Sequence, residues 1–81
     1  MTGLEAAKAW IQLHAKPRKT FNRRITSYGL KHVAEKAYGV YIANEEFIQA
    51  MDELGFSRYQ SRLMRGGPNF YFNAGYTGTR G

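Results

Sequence analysis

Residues 27–54 read SYGLKHVAEKAYGVYIANEEFIQAMDEL and contain two helices and the turn between them. Leu30, Val33, Ala34 and Ala37 recur at i, i+3, i+4 and i+7, the apolar stripe of a helix over 27–38 that Ser27 opens. Gly39 follows its last turn, where a left-handed cap residue is expected. Residues 39–43 form a short turn. Asn44 then suits an N-cap, and Glu45 and Glu46 complement the positive end of a helix over 44–54. Phe47, Ile48, Met51 and Leu54 form the buried stripe of that helix, and Gly55 ends it.

Upstream, residues 3–15 read as a further helix. Leu4, Ala7, Ile11 and His14 share a stripe, with Trp10 beside it. Thr2 and Glu5 have the spacing of a capping box. Pro17 stops the helix, because the residue before a proline avoids the α region. Residues 18–25 read as a connector or a short strand. Downstream, residues 56–64 read as extended, Arg65-Gly66-Gly67-Pro68-Asn69 as a turn, and 70–73 as a returning strand with alternating side chains. Residues 74–81 are rich in Gly and Thr and read as a flexible tail, with Tyr76 available to dock. There is no internal repeat.

The expected fold is therefore α+β: one domain over 1–73, a three-helix core with a C-terminal β-hairpin. In layout and spacing, residues 3–73 resemble a winged helix-turn-helix domain, with the wing centred on Gly66-Gly67-Pro68. The phrases Ser-Tyr-Gly-Leu-Lys-His and Gly-Pro-Asn-Phe-Tyr-Phe-Asn look like those of small proteins of phages and mobile elements.

The chain has 81 residues, 43% hydrophobic and 15% aromatic, which suffices for one small folded core. It contains no cysteine, which removes disulfides, thiolate metal sites and cysteine nucleophiles and points to a cytoplasmic protein. No apolar run approaches the roughly 20 residues of a membrane span. The N-terminus lacks the basic start and apolar block of a signal peptide. His14 and His32 stand alone, so no metal and no cofactor is expected. His14 fits a helix end over the core and His32 a solvent face. Gly66-Gly67 lacks the lysine and the following helix of a phosphate loop. Glu45, Glu46, Asp52 and Glu53 have the spacing of a solvated helix face, not of an acid–base pair. The composition points away from an enzyme.

The formal charge is +6, and it is segregated. Residues 16–24 carry Lys16, Arg18, Lys19, Arg23 and Arg24 and no acid, while residues 44–55 carry four acids and no base. Arg58, Arg62 and Arg65 flank the expected wing. Such cations bind phosphates and give sequence-independent affinity. Tyr59 and Tyr71 fit either contact with the nucleic acid or packing across the hairpin. In winged helix-turn-helix domains the 44–54 helix would enter the major groove. Asn44 and Gln49 suit adenine and a glutamate suits cytosine, but four carboxylates there repel phosphates. Three readings follow: the helix is held back, it enters only at its Asn44–Gln49 end, or the fold binds protein. The expected function is non-enzymatic binding of nucleic acid, double-stranded DNA in the first instance, by a phage or mobile-element regulator. The alternative is a protein-binding inhibitor, of the anti-CRISPR kind, that engages a protein or ribonucleoprotein complex through Glu45, Glu46, Asp52 and Glu53.

Overall fold

The computed structural model describes residues 1–78 of the chain. In order they form α1 (Gly3–His14), β1 (Ala15–Asn22), α2 (Ser27–Tyr38), α3 (Asn44–Glu53), β2 (Arg58–Tyr59), a 3-10 turn (Arg62–Met64) and β3 (Tyr71–Tyr76). The class is α+β: three helices and a three-stranded antiparallel sheet of order β1-β3-β2.

Local chemistry sets the helix ends. The Thr2 hydroxyl accepts the Glu5 N–H at 3.1 Å, and the Glu5 carboxylate accepts the Thr2 N–H at 2.7 Å, closing a capping box. Gly39 ends α2 at φ +64°, a conformation costly to a residue with a Cβ. At α3 the N-cap is Ala43, one residue before Asn44, and the Glu46 carboxylate accepts the Ala43 N–H at 2.9 Å.

The core joins the helices to the inner face of the sheet. Trp10, Ile11, Leu30, Ile42, Phe47, Met51 and Phe72 are fully buried. Phe47 lies 6.1 Å from Trp10 and 6.4 Å from Phe72, ring centre to ring centre, so one ring links α1, α3 and β3. Val33 and Leu54 are only half-buried, and Ala37, expected in the core stripe, is exposed. The place of Ala37 is taken by Ile42, which the turn after α2 folds inward. The Glu35 carboxylate holds that turn by accepting the Ile42 N–H at 3.0 Å. Ser27 ties α2 to the sheet: its N–H donates to the Phe70 carbonyl at 2.8 Å, and its Oγ accepts the Phe70 N–H at 3.1 Å.

The sheet departs from expectation in three places. The strand alternative for residues 18–25 holds, but the strand spans Ala15–Asn22, starting directly after α1 and pairing Ala15 with Tyr76, Lys16 with Gly75 and Pro17 with Ala74. Pro17 is tolerated because β1 is an edge strand. The extended segment expected over 56–64 contracts to Arg58–Tyr59. The Gln60 side chain donates to the carbonyls of Gly67 (2.7 Å) and Asn69 (2.9 Å), closing the chain into a compact loop where the ladder would have continued. Finally, β3 runs on through Tyr76 with Ala74 fully buried, so residues 74–76 belong to the central strand rather than to a tail. The rest of the expected tail, residues 79–81, lies outside the described residues.

Candidate nucleic-acid interface

The eight cations singled out from the sequence are all exposed: Lys16, Arg18, Lys19, Arg23, Arg24, Arg58, Arg62 and Arg65. Among the described residues none of them joins an ion pair. Most of the acids, by contrast, are already engaged. Glu5 and Glu46 cap helices, Glu35 bonds Lys31, His32 and Ile42, and Glu53 bonds Lys8 and Gln49. The hydrogen bonds from Lys8 and Gln49 hold the Glu53 carboxyl below its ordinary range.

Strand β1 carries three of the cations, Lys16, Arg18 and Lys19, and Arg23 and Arg24 follow at its exit. Pairing with β3 is regular to Pro17 and resumes only at Asn22, opposite Phe72. Residues 18–21 therefore bulge out of the ladder, and Arg18, Lys19, Thr20 and Phe21 are all exposed. Asn22 returns the chain: it is buried, its Nδ2 donates to the Ala74 carbonyl at 3.0 Å, and its Oδ1 accepts the Arg24 N–H at 3.1 Å.

Arg23 joins this strand to the far side of the sheet. Its guanidinium donates to the Tyr59 hydroxyl at 2.9 Å and lies 5.0 Å from that ring's centre. Phe21 stacks on Tyr59 at 5.0 Å, and Tyr59 lies opposite Tyr71 in the ladder, 6.5 Å away. Alternation along β3 turns Phe72 and Ala74 toward the helices and Tyr71 away from them. The result is an outward patch of aromatic rings edged by cations. Arg62 and Arg65 sit on the β2–β3 loop, either side of Leu63, which is 98% exposed.

Arg58 stands apart. It lies opposite Phe72, with its guanidinium 4.9 Å from the Phe70 ring centre, and lines a groove of about 580 Å³ against α3. Glu45, Gln49 and Asp52 form the polar side of that groove, and Tyr41, Ile48 and Phe70 its apolar side.

The polar groups expected to read bases are committed elsewhere. Asn44 Nδ2 donates to the Pro68 carbonyl (2.9 Å) and to Asn69 Oδ1 (3.1 Å), binding α3 to the β2–β3 loop. The Gln49 amide donates to Glu53 at 2.7 Å. The structure thus gathers Lys16, Arg18, Lys19, Arg23 and Arg24 on β1 and its exit. It leaves Arg62 and Arg65 on the neighbouring loop and groups Arg58 with the acids of α3.

Two buried polar groups escape a reading by residue type. Lys31 is buried, its side chain 8% exposed, between Glu35 and the rings of Tyr28 and Tyr41. Tyr76 packs 6.1 Å from Trp10, with its hydroxyl buried. The i, i+4 spacing of Lys31 and Glu35 is a sequence signal for the first, while nothing local marks the second. His14 bonds Thr77 at 3.0 Å and lies over Trp10, and His32 is on the surface beside Glu35. Among the described residues no group of three His, Asp or Glu side chains could hold a metal ion, and no helix is long and apolar enough to cross a membrane. Comparison with family models, with curated proteins and with solved structures finds no match to this chain.

Proposed function

We propose that this protein binds double-stranded DNA along its phosphate backbone, through β1, the strand's exit at Arg23 and Arg24, and the β2–β3 loop. One observation carries the reading: the exposed cations have no ion-pair partners among the described residues, whereas most of the acids are engaged. Charge left uncompensated on one set of strands is the electrostatic footprint of a polyanion site. The element order and the β1-β3-β2 sheet support assignment as a winged helix-turn-helix variant, with residues 60–70 as the wing. In this variant α3 is held back from the groove. Asn44 and Gln49 are engaged in internal hydrogen bonds, and Glu45 and Asp52 would face phosphates. Binding is then largely blind to sequence, as suits a small accessory regulator of the phage or mobile-element kind.

Titration of a duplex at several salt concentrations tests this. Neutralising about five phosphates gives a slope of log K against log salt near −4.5. Affinity that ignores salt, or no duplex binding at low salt, would overturn the proposal. The groove between Arg58 and α3 favours a second reading, as a protein-binding inhibitor. Its apolar side and its acids Glu45 and Asp52 suit a basic peptide segment. A stable complex with a protein partner in the absence of duplex affinity would favour that reading.

A further inference from the structure

Where β1 bulges away from β3 it leaves a cleft of about 940 Å³ at the edge of the sheet. Arg18 and Arg24 line it, together with Asn22, Tyr76, Thr77 and Gly78, and among the described residues no carboxylate does. Neither guanidinium has an acidic partner among the described residues. The aliphatic part of Arg18 lies along the surface of Gly75. Asn22, itself buried, anchors the opposite wall through Ala74 and fixes where the backbone of Arg24 leaves the sheet.

Tyr76 adds an unexplained group. Its ring is held against Trp10, yet its hydroxyl is buried with no hydrogen-bond partner among the described residues. A buried polar group in that condition calls for a partner. Burial, only partly opposed by Arg18, pushes the phenol above the ordinary tyrosine range, so it stays protonated and can donate. Two planar, permanently charged donors and one neutral hydroxyl donor complement the oxygens of a phosphate.

We propose that the cleft between the β1 bulge and the end of β3 is a phosphate-binding site, with Arg18, Arg24 and the Tyr76 hydroxyl as donors. The inference rests on the DNA-binding reading only for the source of the phosphate. A backbone phosphate of a duplex and a free phosphate present the same oxygens.

The test has two arms. In the first, inorganic phosphate is titrated at constant ionic strength against the backbone amide resonances of the whole chain. The expected result is a saturable shift confined to residues 18, 22–24 and 75–78. The Arg18→Ala/Arg24→Ala variant should lose it. Tyr76→Phe, which keeps the ring in the core, should bind phosphate about tenfold more weakly, the loss expected for one hydrogen bond to a charged group. A non-saturating shift spread over Lys16, Lys19 and Arg62 alike would overturn the site, as would a Tyr76→Phe variant with unaltered phosphate affinity. In the second arm the same variants are titrated with duplex. Weakened duplex binding by Tyr76→Phe places a backbone phosphate in the cleft. Saturable phosphate binding without duplex affinity keeps the site for a free phosphate and refutes the DNA-binding reading instead. Duplex affinity without a localised phosphate response refutes the site and leaves that reading standing.

Discussion

Lys31 and Glu35 show how one turn of helix controls its surroundings. The Lys31 ammonium lies 3.5 Å from the Glu35 carboxylate and about equally far from two aromatic rings, 5.3 Å from Tyr28 and 5.0 Å from Tyr41. Burial pulls the Glu35 carboxyl upward, but the Ile42 N–H, Lys31 and His32 together outweigh it and leave the group below its ordinary value of 4.5. A carboxyl whose pKa is lower in the folded than in the unfolded chain adds stability above the unfolded value and loses it as pH falls through the folded one. The melting temperature should therefore drop as pH goes below 4.5, with Glu5 and Glu53, also lowered, contributing in the same direction. Glu35→Gln should destabilise the protein at neutral pH by about 1–3 kcal/mol, because the Lys31 ammonium loses its charged partner. The same variant should show a shallower acid transition by thermal melting across the same pH series. Phe47, fully buried where three elements meet, gives a second check: Phe47→Ala should cost about 3–5 kcal/mol by denaturant titration.

At the scale of elements, β1 and the β2–β3 loop have different duties. Replacing Arg18, Lys19, Arg23 and Arg24 with Ala should weaken duplex binding for all sequences alike. The salt slope should flatten by about 0.9 for each phosphate that the variant no longer neutralises. Unaltered affinity in that variant would leave β1 as a solvated charge run. Arg23 differs from its neighbours because its guanidinium also bonds Tyr59 across the sheet, so its removal should loosen β2 as well as lower the charge. The loop is tied to α3 by the two hydrogen bonds from Asn44. Asn44→Ala should cost about 1–2 kcal/mol and speed amide exchange in residues 65–69. Discrimination among duplex sequences should not change, since this amide faces the loop.

For the molecule as a whole, the balance between basic strands and acidic helix decides how a polyanion approaches. Glu46 and Glu53 are engaged, so Glu45 and Asp52 are the acids of α3 left facing solvent, both beside Arg58. Glu45→Gln/Asp52→Asn should raise nonspecific duplex affinity at low salt. At high salt it should match the unmodified protein, because screening shortens the reach of surface charge to about 3 Å at 1 M. A variant with unchanged affinity at low salt would put the duplex away from the α3 side altogether.

The helices, the caps at Thr2 and Gly39 and the segregation of charge were legible from the chain alone, while the α3 cap fell on Ala43 rather than Asn44. Stripe periodicity at Leu30, Phe47 and Met51, the Thr2–Glu5 box and the left-handed Gly39 depend on residues within a few positions of each other. The sheet was not legible in the same way. Strand β1 has no alternation of polar and apolar residues, and only Asn22 in it is buried. Its identity as a strand comes from backbone bonds to residues some sixty positions away, such as Ala15 opposite Tyr76. The same long-range pairing draws residues 74–76, the start of the Gly- and Thr-rich stretch, into the central strand and opens the Arg18–Arg24 cleft. It also buries a tyrosine hydroxyl whose sequence neighbours suggest a tail. The cations of the candidate interface could be named from composition. Which of them share a surface could not, because Arg58 and Arg23 diverge toward Phe70 and Tyr59, neighbours they acquire only once the strands have paired. Asn44 makes the contrast at a single residue: its type suits base reading, and the fold commits its amide to Pro68 and Asn69.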